Sequence, residues 1–274
     1  MRPRALVGAV LVGALLTGCA QSVDPIERLG KKAAQRVGSY GPGEGQGSYG
    51  PAGQRPYRRW GLATPLAAPP RPPARTAPGR GLPPVVKRVA TTDKVVFLTY
   101  DDGAEKDPRF VDMVRELRLP VSMFLTDSVV GPGYGHFARL QSVGASIQNH
   151  TLDHPALRGL PYAGQRAEIC GQQEKVRSRF GIRPRLLRPP YGTYDTTTLH
   201  AAADCGLSAI VLWSVSLEGN GTPGRGLRAG DIVSVAAGEG TGTGTGRTLT
   251  ERTVGVLREI ERRGLTVGRL EDYL

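Results

Sequence analysis

From Lys94 onward, short apolar runs rich in β-branched residues alternate with longer segments whose apolar residues recur every three or four positions. Residues 20–93 show neither period. Runs from Val95 to Thr99, Val121 to Thr126, Ala145 to Gln148, Arg185 to Leu187, Ser208 to Leu212, Asp231 to Val235 and Leu265 to Val267 predict seven strands. Helices are predicted from Asp107 to Leu119 (Phe110, Val114 and Leu117 on one stripe), from His136 to Val143, and from Tyr162 to Phe180, with Ile169, Val176 and Phe180 on one face. Two more are expected, from Asp195 to Cys205 and after Thr248-Leu249-Thr250-Glu251, a capping box ahead of Val254, Leu257 and Ile260. A Gly/Thr loop runs from Gly238 to Gly246. Strands mostly trailed by helices predict an α/β domain over 94–274, with a mostly parallel sheet covered on both faces. Periodicity leaves open whether that sheet stays flat or curls into a barrel.

Residues 1–19 have the form of an export signal: Arg2 and Arg4, an apolar run from Ala5 to Leu16, then Leu16-Thr17-Gly18-Cys19. The run is shorter than the roughly 20 residues that span a bilayer. Leu-Thr-Gly-Cys resembles the lipobox of bacterial lipoproteins, which implies cleavage before Cys19 and lipid on its thiol. The expectation is an extracytoplasmic protein, lipid-anchored to the cell membrane.

Charge sharpens this division. Residues 20–93 hold 12 Lys+Arg against 4 Asp+Glu, whereas 94–274 hold 22 against 20, so the net charge of +12 describes the N-terminal part. Such a segment is attracted to anionic headgroups or wall polymers. Nucleic acid is excluded as a partner, because the cationic segment is expected to be exported. Ser39-Tyr40-Gly41-Pro42 recurs as Ser48-Tyr49-Gly50-Pro51, and a Pro/Arg/Ala-rich stretch follows to Pro84. That composition predicts a disordered tether over 20–93, with a reach on the order of 200 Å at full extension. Cys170 and Cys205 lie on consecutive predicted helices; an oxidising compartment permits a disulfide between them, and two buried thiols are the alternative.

Candidate chemistry gathers where predicted strands end. Asp101-Asp102-Gly103 follows the first strand, His150 the third and Arg188 the fourth, while Trp213 ends the fifth. In parallel α/β folds, that edge is where residues distant in sequence converge. His150 and His154 are spaced to share one face of a helical turn, which Pro155 should end. The chain has only four histidines, and His136 and His200 stand apart. One carboxylate of the Asp101-Asp102 pair would complete an Asp-His-His metal set, leaving the other to accept a proton. Arg188 would pair with that base and hold it ionised. Arg188-Pro189-Pro190-Tyr191-Gly192 otherwise reads as a rigid turn.

Thr99-Tyr100-Asp101-Asp102-Gly103, His150-Thr151-x-x-His154 and Arg188-Pro189-Pro190-Tyr191-Gly192 resemble the first three motifs of the polysaccharide deacetylase family (NodB homology domain, carbohydrate esterase family 4), in the family's order. The resemblance spans about residues 94–270. It implies a distorted (β/α) barrel of about seven mostly parallel strands. It also implies a divalent metal on Asp102, His150 and His154: zinc first, with cobalt, nickel or manganese as alternatives. Asp101 is implied as general base, Arg188 as its ionic partner, the backbone N–H of Tyr191 in the oxyanion hole, and Trp213 as the aromatic wall for the acetyl group. Two positions depart from the pattern. Ser216 stands where the family places an aspartate, and Ala236 where it places the general-acid histidine. Glu239 is the one candidate substitute donor. The expectation is a metal-dependent hydrolase removing N- or O-acetyl groups from cell-wall polysaccharide, slowed by the missing acid pair and acting as a monomer. Its rival is a non-catalytic, metal-containing glycan-binding lipoprotein on the same scaffold.

Overall fold

The structure, a computed structural model, describes residues 55–72, 81–102, 107–217, 225–235 and 248–274. The signal and lipidation site at Cys19, the tether up to residue 54, Gly103, Ala236, Glu239 and the Gly/Thr loop lie outside the described residues. Among those described, the seven expected strands appear as β2 (Val95–Asp101), β3 (Ser122–Leu125), β4 (Ser146–Asn149), β5 (Leu186–Leu187), β6 (Ala209–Val211), β8 (Ile232–Val235) and β9 (Thr266–Val267). Two more lie outside that expectation: β1 (Val85–Val86), directly behind Pro83 and Pro84, and β7 (Val215–Leu217), which follows β6 closely. The order is β1-β6-β5-β4-β3-β2-β8-β7, with β9 also on β2, and every strand pair is parallel.

The sheet curls because its inner face is one cluster. Val95 and Phe97 of β2, Phe124 of β3, Leu186 of β5, Ala209 and Val211 of β6, and Ile232 of β8 all pack together with Leu270. Strands that far apart in the order can share a core only if the sheet bends round on itself. The edge strands β1 and β7 are not paired with each other, so the barrel is open. Period-two alternation sends Val96, Leu98 and Tyr100 outward, under Phe110, Met113 and Val114 of α2 (Pro108–Leu117) and Val256, Leu257 and Ile260 of α7 (Leu249–Arg262). Leu187 and Ile210 instead meet Ile169 of α5 (Tyr162–Phe180) and Ala201 and Ala202 of α6 (Thr196–Asp204).

The tether expected over 20–93 needs a correction at its C-terminal end. The short helix α1 (Pro56–Arg59) and the residues after it bury Tyr57, Trp60 and Leu62 in the main core, where each large apolar side chain contributes about 1.5–3 kcal/mol. The Trp60 indole N–H donates to Glu116 at 2.8 Å, and the N–H and hydroxyl of Thr64 both donate to Glu261. Further on, β1 adds to the sheet through Val85–Ile210 and Val86–Val211 pairing. Pro/Arg-rich composition hid three well-placed apolar residues, and three are enough to hold a strap. The cysteine alternatives also resolve: Cys170 and Cys205 form a disulfide joining α5 to the end of α6, with a Cα–Cα distance of 5.1 Å.

Candidate metal and catalytic site

The carboxyl ends of β2, β3, β4 and β5 bring the expected residues together. β2 runs out at Asp101; Asp102 follows in a left-handed conformation (φ 52°) that turns its side chain over the barrel mouth. Its Oδ1 accepts a 2.6 Å hydrogen bond from the Thr126 N–H. Burial pushes the Asp102 carboxyl up to about 7 despite that bond, a cost that a cation would reverse.

The two histidines converge, but by a different route from the helical turn that their spacing suggests. Residues 150–154 form no helix, and Thr151 and His154 take positive φ values of 73° and 61°. Asn149 Oδ1 accepts from the Thr151 N–H at 2.9 Å, and Thr151 Oγ1 from the His154 N–H at 3.2 Å. Two successive side-chain-to-backbone turns thus replace the helix, because Asn and Thr offer the backbone that local alternative. His150 is buried, its Nδ1 2.7 Å from the Arg188 carbonyl. That contact makes Nδ1 the N–H and leaves the Nε2 lone pair facing the site. Burial also pulls His150 down to about 4, so the ring is neutral.

His150 Nε2 and His154 Nε2 stand 3.2 Å apart, and His154 Nε2 is 3.9 Å from Asp102 Oδ2. One ligand atom from each of the three residues lies within 4.8 Å of the others. Two nitrogens on one tetrahedral zinc would be roughly 3.3 Å apart, given bonds of about 2.0 Å. The residues fit such an ion: two imidazoles and one carboxylate, with their ligand atoms already within 4.8 Å of one another.

Beside them, Arg188 is fully buried and donates from Nη1 to Asp101 Oδ1 at 2.6 Å, while Asp101 keeps 26% of its side chain exposed. Arg188 Nη2 donates to Thr99 Oγ1 at 2.9 Å, the Thr99 hydroxyl donates to the Val233 carbonyl, and the guanidinium lies 4.2 Å from the Phe124 ring. Among the described residues, Asp101 is the one carboxylate paired with the Arg188 guanidinium, which fixes where that carboxylate points. Pro190–Gly192 form a 3-10 turn with Tyr191 at φ 58°, leaving the Tyr191 ring 67% exposed and 4.9 Å from the His154 ring. Gly192 abuts Trp213: a Cβ there would stand 3.2 Å from the indole. Arg188 lies 5.6 Å from the same indole. Ser216 sits on β7 in register with Ser234.

Of the five non-glycine residues with positive φ among the described ones, Asp102, Thr151, His154 and Tyr191 line this site. Each costs about 1–2 kcal/mol against ordinary backbone, and such strain collects where geometry serves function. Sequence reasoning quoted Thr99 in its motif without giving it a role, and missed Thr126 and Glu168, whose Oε2 accepts from the N–H groups of Leu152 and Asp153. Thr99 and Thr126 left a trace, as polar residues at the ends of apolar runs. Glu168, on a helix after the loop, left none.

Comparison with known proteins finds similarity to polysaccharide deacetylases. A sequence model described as polysaccharide deacetylase matches residues 88–210. An uncharacterised protein of Streptomyces coelicolor is 61% identical over 201 residues, 72% of this chain and 79% of that one. A chitooligosaccharide deacetylase of a Bradyrhizobium strain is 30% identical over 132 residues, 47% of this chain and 60% of its own length. The solved structure of a carbohydrate esterase family 4 pseudoenzyme from Bacillus anthracis superposes with a TM-score of 0.59 at 18% identity, covering 70% of this chain and 69% of that one.

Proposed function

Because the chain belongs to the polysaccharide deacetylase family, we propose that it is a metal-dependent hydrolase removing N- or O-linked acetyl groups from acetylated cell-envelope polysaccharide. The observation that carries this reading is the convergence of Asp102, His150 and His154 beside the Asp101–Arg188 pair. A divalent cation held by the first three, zinc before cobalt, nickel or manganese, would supply Lewis acidity toward the acetyl carbonyl and toward water. Asp101 takes the proton of the attacking water, and Arg188 fixes which way that carboxylate points. The Tyr191 backbone N–H would donate to the oxygen that gains negative charge, and Trp213 would wall the acetyl group. With Ser216 and Ala236 in the acid positions, the leaving group takes its proton from solvent, or from Glu239 as the substitute donor. A placed acid is worth about 10²–10⁴-fold, so turnover is slow, and an oxygen leaving group suffers less than an amine. The protein works outside the cytoplasm, held to the membrane by lipid on Cys19.

Acetate release from chitooligosaccharide, peptidoglycan and acetylated xylan, with EDTA and with added zinc or cobalt, tests this. Ser216 favours a second reading, a non-catalytic glycan-binding lipoprotein. Metal-dependent glycan binding with no acetate from any substrate would establish that reading in place of the first.

A further inference from the structure

The helix Tyr162–Phe180 acts as a template for the loop between the two histidines. Gln172 Nε2 donates to the Leu125 carbonyl, and the Asn149 side chain donates to the Ile169 carbonyl at 2.9 Å. Glu168 Oε2 accepts from the consecutive N–H groups of Leu152 (3.1 Å) and Asp153 (2.9 Å). The helix can lie this close because Gly171 carries no side chain; a Cβ there would meet Leu152 Cδ2 at 3.3 Å. Leu152 and Asp153 are the whole of the span between Thr151 and His154, both in the left-handed region. One carboxylate oxygen taking two successive N–H groups fixes that span, and a charged acceptor makes both bonds stronger than neutral ones. Water can replace the two bonds, but it cannot replace the place from which they are made.

We infer that Glu168 is a positioning residue for metal binding: it does not touch the ion, but it sets where His154 Nε2 stands relative to His150 and Asp102. The inference rests on the metal-site reading above. Groups that orient a metal ligand without touching the ion typically change affinity by about 10–100-fold when removed.

The test titrates the purified full chain with Zn²⁺ against a chromophoric chelator, and follows thermal unfolding of the same samples in EDTA. Glu168→Ala should weaken zinc binding about 10–100-fold. Glu168→Gln, which keeps an acceptor oxygen without the charge, should recover part of that loss and stay about threefold or more weaker than wild type. Glu174→Ala, an exposed residue on the same helix paired with Arg177 and Arg183, should bind zinc like the wild type. A wild-type affinity in folded Glu168→Ala, or an equal loss in Glu174→Ala, overturns the inference. Should the alanine variant fail to fold, Glu168→Gln decides, with weakening of about threefold or more expected and unchanged affinity overturning it. Wild-type protein that takes up no zinc removes the metal reading and this inference with it. Zinc uptake without acetate release removes only the catalytic reading.

Discussion

Replacing Arg188 by methionine keeps most of the side chain's length and removes its charge from a site with no solvent exposure. Lost are the 2.6 Å charge-assisted bond to Asp101, the 2.9 Å bond to Thr99 and the contact with the Phe124 ring. The approaches to the Val211 and Leu212 carbonyls, at 3.4 and 3.5 Å, are too long to count for much. Removing one partner of a buried ion pair costs about 3–5 kcal/mol. Because Asp101 retains access to water, the cost should fall near the lower limit, about 3 kcal/mol. At about 2–4 °C per kcal/mol for a domain of this size, Tm should fall by about 6–12 °C. A double-mutant cycle with Asp101→Asn, measured by urea unfolding in EDTA so that metal plays no part, should return a coupling of about 1.5–3 kcal/mol. A coupling below about 0.5 kcal/mol would mean that the two side chains do not meet in solution, and the account of Asp101 as an aimed base would fall.

Other outcomes follow from the same geometry. Asp102→Ala, His150→Ala and His154→Ala should each abolish stoichiometric zinc by elemental analysis, whereas Asp101→Asn should keep zinc and lose acetate release; an unchanged rate in Asp101→Asn would refute its role. Joint Ser216→Asp and Ala236→His replacement should raise acetate release, up to about the 10²–10⁴-fold worth of a placed acid, and no gain would show that the groove itself differs. Replacing Cys170 and Cys205 by serine opens a link across 35 residues and should cost about 3–4 kcal/mol in urea unfolding on the chain-entropy account, with thiol titration of denatured wild type finding neither cysteine free. Asp195 caps α6, and the Gly159 N–H chiefly holds its carboxyl down at about 2. That lies below the unfolded value of about 3.9, so the unfolded chain takes the proton first. The cap's contribution is therefore complete above about pH 4 and lost as pH falls toward 2. Asp195→Ala should cost about 1 kcal/mol at pH 7, and its difference from wild type should shrink below about pH 4 as the unfolded chain takes the proton.

The sequence made the sheet legible wherever an apolar run stood clear of its surroundings. β2, buried on both faces, starts with the apolar run Val95 to Leu98; β1 hides behind Pro83 and Pro84, and β7 follows β6 too closely to stand out. The site's members were legible because each follows a strand, and parallel strands end at one edge. Its local geometry was not. A four-residue spacing fits a helical turn, yet Asn149 and Thr151 bond their own backbone and win that competition. Glu168 was invisible for a different reason: its two bonds depend on where a long helix is laid down, which no local pattern encodes.

The strap from Pro56 to Leu62 has a practical corollary. A fragment trimmed to start at Lys94, where the repeating pattern becomes obvious, would discard Trp60 and the plug it forms with Tyr57 and Leu62. It would also strip β1 from β6, baring a row of amide groups on which a second molecule could template. Recombinant boundaries drawn ahead of residue 55 should yield a well-behaved monodisperse sample, and boundaries drawn by eye from the motifs a sticky one.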